Sequence, residues 1–285
     1  MPSLIRELRA MQQTAEAIRS AGKRIAVVPT MGSLHEGHLS LIRLAREHAD
    51  VIVTTIFVNP TQFAPSEDLA RYPRNTELDV RLASSAGADH LFVPETEEMY
   101  PPIHRTFVEV GELGDILEGK SRPRHFRGVA TIVAKLFHLT LPHVAVFGQK
   151  DAQQVVVIRR MVEDLNLRVQ LVVGPIVREA DGLAMSSRNV YLTPTQRAEA
   201  AVLHRSLRHA EDMINRGIRD SARIVDAMAG LISDQSSGTI DYISIADASS
   251  LKELASLTPR RAALISLAVR FGTTRLIDNV PVIMS

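Results

Sequence analysis

Short runs rich in β-branched residues alternate with segments of helical periodicity along most of this chain, and that alternation limits its fold more than any other feature. Residues 24–28, 51–58, 90–93, 144–147 and 168–173 have the length and the Val and Ile content of buried strands. Residues 106–110 read as one more. Leu4, Leu8, Met11, Ala15 and Ile18 recur at helical spacing, with Gly22 as a stop. The helical pattern returns over 38–49, 75–86, 129–141 and 152–165. Strands and helices joined by short links argue for a parallel sheet covered on both faces. Ligands of such sheets bind beyond the carboxyl ends of the strands. The residues that follow Val28, Val58, Phe147 and Val173 are therefore where function is expected.

The pattern changes near Thr193. Two long helices are expected over 195–216 and 221–233, then short strands over 240–246, 263–269 and 275–280. A chain of 285 residues divides naturally here, since domains run to about 100–200 residues. We expect a first domain over 1–177 and a smaller α+β lid domain over 178–285. The formal charge of +1, 4% aromatic content and absence of Trp give no basis for a nucleic-acid partner. The absence of Cys excludes disulfides, thiol catalysis and thiolate metal sites. No apolar run reaches the ~20 residues of a membrane helix, and residues 1–9 lack the apolar core of a secretory leader. A soluble, cytoplasmic protein is the expectation.

Five segments carry candidate chemistry. Pro29-Thr-Met-Gly-Ser-Leu-His-Glu-Gly-His38 joins a strand to a helix. Free backbone N–H groups at a helix start favour an anion, Gly32 lets the backbone turn, and Gly37 lets a ligand approach. His35 and His38 face the same way and can donate to phosphate oxygens. A zinc site is the weaker reading, because the zinc-protease pattern separates its histidines by four positions. Neither a Walker A loop nor Gly-x-Gly-x-x-Gly is present. Phe147-Gly-Gln-Lys-Asp-Ala-Gln-Gln154 follows another strand, with Lys150 suited to a phosphate and Asp151 to a helix cap. Asp181-Gly-Leu-Ala-Met-Ser-Ser-Arg-Asn189 sets two hydroxyls beside a guanidinium, a set that suits triphosphate oxygens. Phe57-Val-Asn-Pro-Thr-Gln-Phe63 offers Asn59 and Gln62 on a loop stiffened by Pro60. The basic stretch 120–127 reads first as a solvated loop, second as a flap over phosphate.

Histidine, x, glycine, histidine followed by a Met-Ser-Ser loop resembles the nucleotidyltransferase superfamily with its HIGH motif. With Asp68-Leu-Ala-Arg-Tyr-Pro-Arg74, His125-Phe-Arg-Gly-Val129 and Leu276-Ile-Asp-Asn279, the chain is more narrowly similar to the pantothenate synthetase (pantoate–β-alanine ligase) family. The resemblance implies an α/β fold with a Rossmann-like parallel sheet and a smaller C-terminal α+β domain. It implies ATP-dependent joining of pantoate to β-alanine through pantoyl adenylate, with release of AMP and pyrophosphate. Carried over by motif, ATP is met by Met31, Gly32, Ser33, Leu34, His35, Glu36, Gly37 and His38, by Gly148, Gln149, Lys150 and Asp151, and by Met185, Ser186, Ser187 and Arg188. Val177 touches adenine through its backbone. His38, in the family's proton-donor position, His35, Lys150 and Arg188 carry the catalytic roles. Gln62 and Gln154 hold pantoate, Gln62 also meeting β-alanine. Mg²⁺ bridges phosphate oxygens, with Asp79 the best match to an acidic cluster that Leu78 interrupts. A homodimer is implied. Two alternatives stay open at this stage: adenylyl transfer to a phosphorylated acceptor, and nucleotide binding without catalysis.

Overall fold

The computed structural model describes residues 2–65 and 67–283; Ser66, at the end of the loop expected after the second strand, lies outside them. Five of the β-branched runs become the parallel strands β2 (Ile25–Thr30), β3 (Val51–Ile56), β4 (His90–Phe92), β5 (Val144–Gly148) and β6 (Gln170–Gly174), and β1 (Ser3–Ile5) joins them at the sheet edge. They lie in the order β1-β4-β3-β2-β5-β6, all pairs parallel. Successive residues of a strand face opposite sides, and here that alternation feeds two apolar layers. Ile25 and Val27 of β2, Val53 of β3, and Ala145 and Phe147 of β5 pack with Met11, Val133 and Ile158 on one face. Ala26, Val28, Ile52, Val144 and Val146 pack with Leu41, Ile42 and Ala83 on the other. The first layer draws on the helices Leu8–Ser20, His125–Thr140 and Ala152–Asp164, the second on Glu36–Arg46 and Thr76–Ser85. Full burial of each Val, Ile or Leu contributes roughly 1.5–3 kcal/mol. The Rossmann-like sheet expected from the sequence is the one that forms.

From β2 the chain moves to β3 on one side, while from β5 it moves to β6 on the other. Strand order therefore reverses between β2 and β5, the position where open α/β sheets receive ligands. These two strands pair only at Ala26 and Val27. Pro29, which has no N–H to donate, stands where β2 has already parted from β5.

Two expectations in this unit are corrected. Residues 106–110 form no strand. Their polar and aromatic groups are taken by the His125–Thr140 helix: Val108 N–H donates to Thr131 Oγ1 at 2.9 Å, and the Arg127 guanidinium lies 4.0 Å over the Phe107 ring. The first helix begins at Leu8 rather than Leu4. Residues Ser3–Ile5 instead pair with β4, held by Val93 N–H donating to the Ile5 carbonyl at 2.8 Å.

A second unit comprises Lys150–Ala152 and the chain from Ile176 onward. Its sheet is antiparallel, β7 (Thr239–Asp247), β8 (Ala262–Phe271) and β9 (Thr274–Ile283), in that order. Leu203, Leu207, Ile224, Met228 and Ile232 of the helices Val202–Asn215 and Ser221–Gln235 share a core with Ile265, Leu267 and Phe271. The single helix expected over 195–216 is two, Pro194–Glu199 and Val202–Asn215. The junction is a tightened turn in which Leu203 N–H reaches the Ala200 carbonyl at 3.2 Å. Among the described residues no helix is long and apolar enough to cross a membrane.

Candidate active site

The loop after β2 is built around one glycine and one carboxylate. Gly32 has φ +79° and Ser33 φ +52°. A Cβ on Gly32 would stand 2.9 Å from Asp79 Oδ2 and 3.1 Å from Ile56 Cγ2, so both conformation and space require glycine. Asp79, in the first turn of the Thr76–Ser85 helix and only 2% exposed, accepts Ser33 N–H at 2.9 Å and Leu34 N–H at 2.8 Å. A carboxylate with two backbone donors is a strong, geometrically specific anchor. Sequence reading placed Asp79 on Mg²⁺. Here each of its oxygens is engaged by the turn, and no group of three or more His, Asp or Glu able to hold a metal occurs among the described residues. Mg²⁺ needs no such cluster, since one or two carboxylates together with nucleotide phosphates commonly hold it; at Asp79 a metal would share oxygens that already anchor the turn.

The turn delivers the chain to the Glu36–Arg46 helix, whose N-cap is His35. Gly37 N–H donates to His35 Nδ1 at 3.2 Å, and His35 N–H donates to His38 Nδ1 at 3.3 Å. With Nδ1 an acceptor in both rings, each neutral imidazole carries its proton on Nε2. The rings lie 4.1 Å apart, tilted by 46°. One helix start therefore presents two Nε2–H donors together with the positive end of its dipole. That arrangement suits phosphate oxygens and disfavours a metal, which needs an unprotonated nitrogen.

After β3, the turn Pro60–Gln62 is capped by Asn59, whose Oδ1 accepts from Thr61 N–H. Asn59 Nδ2 donates to Gln62 Oε1 at 2.9 Å and to the Gly128 carbonyl at 3.1 Å. Gln62 Nε2 lies 3.0 Å from Met31 Sδ, so the structure brings together two residues that the sequence placed in separate motifs. Gly128 is confined to glycine by close approach: a Cβ there would lie 2.4 Å from the Thr61 carbonyl oxygen.

The basic stretch 120–127 is not simply a solvated loop. Arg122 donates to both oxygens of Glu67, at 2.5 and 2.8 Å, and is half-buried. Burial pushes the Glu67 carboxyl up, but the Arg122 hydrogen bond and charge outweigh it and hold it below its usual value. Arg122 also lies 3.1 Å from His125 Nε2, while His125 Nδ1 lies 2.8 Å from the Gln62 carbonyl oxygen. A carbonyl can only accept and a guanidinium can only donate, so His125 is neutral with its proton on Nδ1. Burial, then the Arg122 charge, bring its pKa down to about 4. Lys120, Arg124 and Arg127 instead line a cavity of about 340 Å³ shared with Glu109 and Asp115.

β5 ends at Gly148, and the turn Gln149–Asp151 follows it. Lys150 Nζ lies 3.5 Å from Asp151 Oδ1. The two adjacent glutamines divide their work. Gln153 is buried, donating to the Leu113 and Ile116 carbonyls and accepting Glu118 N–H. Gln154, the expected substrate contact, is half-buried.

In the second unit, Val177 and Met185 close a small hairpin, with Met185 N–H donating to the Val177 carbonyl at 3.0 Å. Its turn needs Gly182, whose φ is +92° and whose Cβ would meet His204 Nδ1 at 2.2 Å. The following loop is shaped by Ser186 Oγ, which accepts Arg188 N–H at 3.2 Å, and by Asn189 Nδ2, which donates to the Ala184 carbonyl at 3.2 Å. Sequence reasoning quoted Arg122, His125 and Asp278 within motifs but gave them no supporting role, and it passed over Glu67, which joins Arg122 and His125 under Gln62, and Arg178, which joins Asp278 under the hairpin. The three-residue spacing of Arg122 and His125 was their one local sign.

Comparison with known proteins shows the family. A profile of the pantoate-beta-alanine ligase family matches residues 3–281. The chain is 50% identical over 276 residues to a pantothenate synthetase of Acetivibrio thermocellus, covering 97% of this chain and 96% of that one. The crystal structure of pantothenate synthetase from Thermus thermophilus superposes with a TM-score of 0.90 at 42% identity over 98% of each chain. That of pantoate-beta-alanine ligase from Francisella tularensis, complexed with beta-gamma ATP and beta-alanine, gives 0.81 at 32% identity, covering 98% of this chain and 97% of that one.

Proposed function

This chain belongs to the pantoate–β-alanine ligase family, and we propose from that membership that it condenses pantoate with β-alanine at the expense of ATP, through the residues assigned below. A carboxylate is a poor acylating agent. In the first step a pantoate carboxylate oxygen attacks the α-phosphorus of ATP, pyrophosphate leaves, and pantoyl adenylate forms. In the second the β-alanine amine attacks the acyl carbon, AMP leaves with the acyl C–O bond pair, and the amine loses a proton to give the amide. Little proton transfer is needed in the first step, so positioning and charge stabilisation dominate.

The observation that carries this reading is the pair of Nε2–H donors at one helix start, fixed by the Nδ1 bonds of His35 and His38. In our reading these groups donate to phosphate oxygens as negative charge shifts onto the leaving pyrophosphate, with His38 in the proton-donor position. Gly32 and Gly37 let the nucleotide approach the backbone of Met31, Ser33, Leu34 and Glu36. Gly148, Gln149 and Asp151 complete the nucleotide contacts with Met185, Ser186 and Ser187, and Val177 meets adenine. Lys150 and Arg188 bring fixed positive charge to the phosphates. Gln62 and Gln154 hold pantoate, and Gln62 also meets β-alanine. Asp79, together with the nucleotide's own phosphates, would hold Mg²⁺, which would offset phosphate charge. The same reading makes the enzyme a cytoplasmic homodimer, with residues 178–285 as its lid domain.

The test is a coupled assay with pantoate, ATP, Mg²⁺ and β-alanine, omitting each in turn. Pyrophosphate formed without β-alanine, and AMP released only when β-alanine is added, is the expected result. AMP retained in a stable product, or no dependence on pantoate, overturns the reading.

A further inference from the structure

We propose that Asp278 and Asn279, consecutive residues of β9, are positioning residues for adenylate formation: one sets the hairpin that carries Val177 and the 185–188 loop, the other sets Lys150. The inference rests on the nucleotide contacts proposed above. Asp278 and Asn279 are 2% and 3% exposed. A carboxylate so buried needs charged or hydrogen-bonding partners, and Asp278 has both. Arg178 Nη1 donates to Asp278 Oδ2 at 2.6 Å and Arg178 Nη2 to Oδ1 at 3.0 Å. Asn279 N–H also donates to Oδ1, at 2.8 Å. This two-pronged geometry fixes direction as well as distance.

What the pair holds matters more than that it is held. Arg178 follows Val177 and bridges across the hairpin to Ala184, the residue before Met185. Its Nη1 also donates to the Gly182 carbonyl at 3.0 Å, bracing the turn. A single ion pair therefore fixes both ends of the hairpin at once. On the next residue, Asn279 Nδ2 donates to the Lys150 carbonyl at 3.0 Å. Successive strand side chains point in opposite directions. Two adjacent positions of β9 thus take hold of two segments that lie far apart in sequence, one bearing Lys150 and the other the Ser186, Ser187 and Arg188 loop. A shift of either grip changes the separation of the cations assigned to the phosphates, which adenylate formation depends on. Attack of β-alanine on the acyl carbon depends on it far less.

The two partial reactions separate this role from a merely structural one. Adenylate formation is followed as pyrophosphate release in a single turnover without β-alanine. Aminolysis is followed by supplying chemically prepared pantoyl adenylate and β-alanine. Asn279→Ala should slow adenylate formation about tenfold or more, the scale of a misplaced catalytic group, with aminolysis changed less than about threefold and the melting temperature close to that of the parent. Asp278→Asn, which keeps one acceptor for Arg178, should show the same selective loss and serves if the first variant folds poorly. Equal loss in both partial reactions, or adenylate formation within about twofold of the parent in the folded variants, overturns the proposal. Lys150→Ala run in parallel distinguishes the failures. If it too leaves adenylate formation intact, the nucleotide-site reading falls and this inference with it; if it abolishes adenylate formation while the β9 variants do not slow it, only this inference falls.

Discussion

Acid should destabilise the first unit through one buried imidazole. His125 Nδ1 lies 2.8 Å from the Gln62 carbonyl oxygen and Nε2 lies 3.1 Å from Arg122, so a second proton would face a guanidinium. Burial and that charge bring the pKa from 6.5 to about 4. Between these values the unfolded chain binds the proton and the folded chain does not. Stability therefore falls as pH drops from 6.5 towards 4, and the penalty is absent above 6.5. At ~1.4 kcal/mol per unit, the loss is about 2 kcal/mol at pH 5 and about 3 kcal/mol at pH 4. Glu118 and Glu67 face the same ring and favour its charged form, but they do not reverse the shift. The test is urea unfolding of the parent and His125→Gln at about pH 7.5 and pH 5, followed by circular dichroism, beside an NMR titration of the His125 ring. His90, His143 and His204 are also lowered, chiefly by burial, but they cancel in the comparison. The variant cannot titrate at this position and should lose about 2 kcal/mol less on acidification. Equal losses in both proteins, or a His125 ring that titrates near its ordinary value, would refute the reasoning.

Other perturbations have equally definite outcomes. His38→Ala or Lys150→Ala should cut adenylate formation by ~100-fold or more, as loss of one transition-state donor does; near-parental turnover removes the role assigned to that residue. Asp79→Asn replaces an acceptor oxygen by an amide donor facing Ser33 or Leu34 N–H, and should cost about 1–3 kcal/mol while raising KM for ATP. A variant of Asp79 that lost only Mg²⁺ affinity, with stability unchanged in urea, would show that the turn does not depend on this carboxylate. Gly128→Ala forces a methyl against the Thr61 carbonyl and should cost about 1–3 kcal/mol and raise KM for pantoate more than for ATP.

Local pattern was enough to determine the α/β class, because the period of apolar residues and the chemistry of glycine turns are properties of a few neighbouring residues. The strand runs at 51–58 and 144–147, the turn at Gly32 and the helix after His35 all announce themselves in this way. Periodicity alone mistook residues 106–110 for a strand and carried the first helix back to Leu4, because both outcomes turned on distant partners: Thr131 for Val108, and β4 for Ser3–Ile5. Strand order, and with it the reversal between β2 and β5, depends on pairings between distant segments that no local window contains. The same holds for the supports of the candidate site. Asp79 reads only as a match to an acidic cluster until the backbone of Ser33 and Leu34 is folded onto it and shows that it also anchors the turn. Arg122 and His125 resemble a solvated basic loop until Glu67 and the Gln62 carbonyl close around them. A charged or titratable side chain takes its role from the groups that surround it after burial, and only the tertiary structure decided which groups those are.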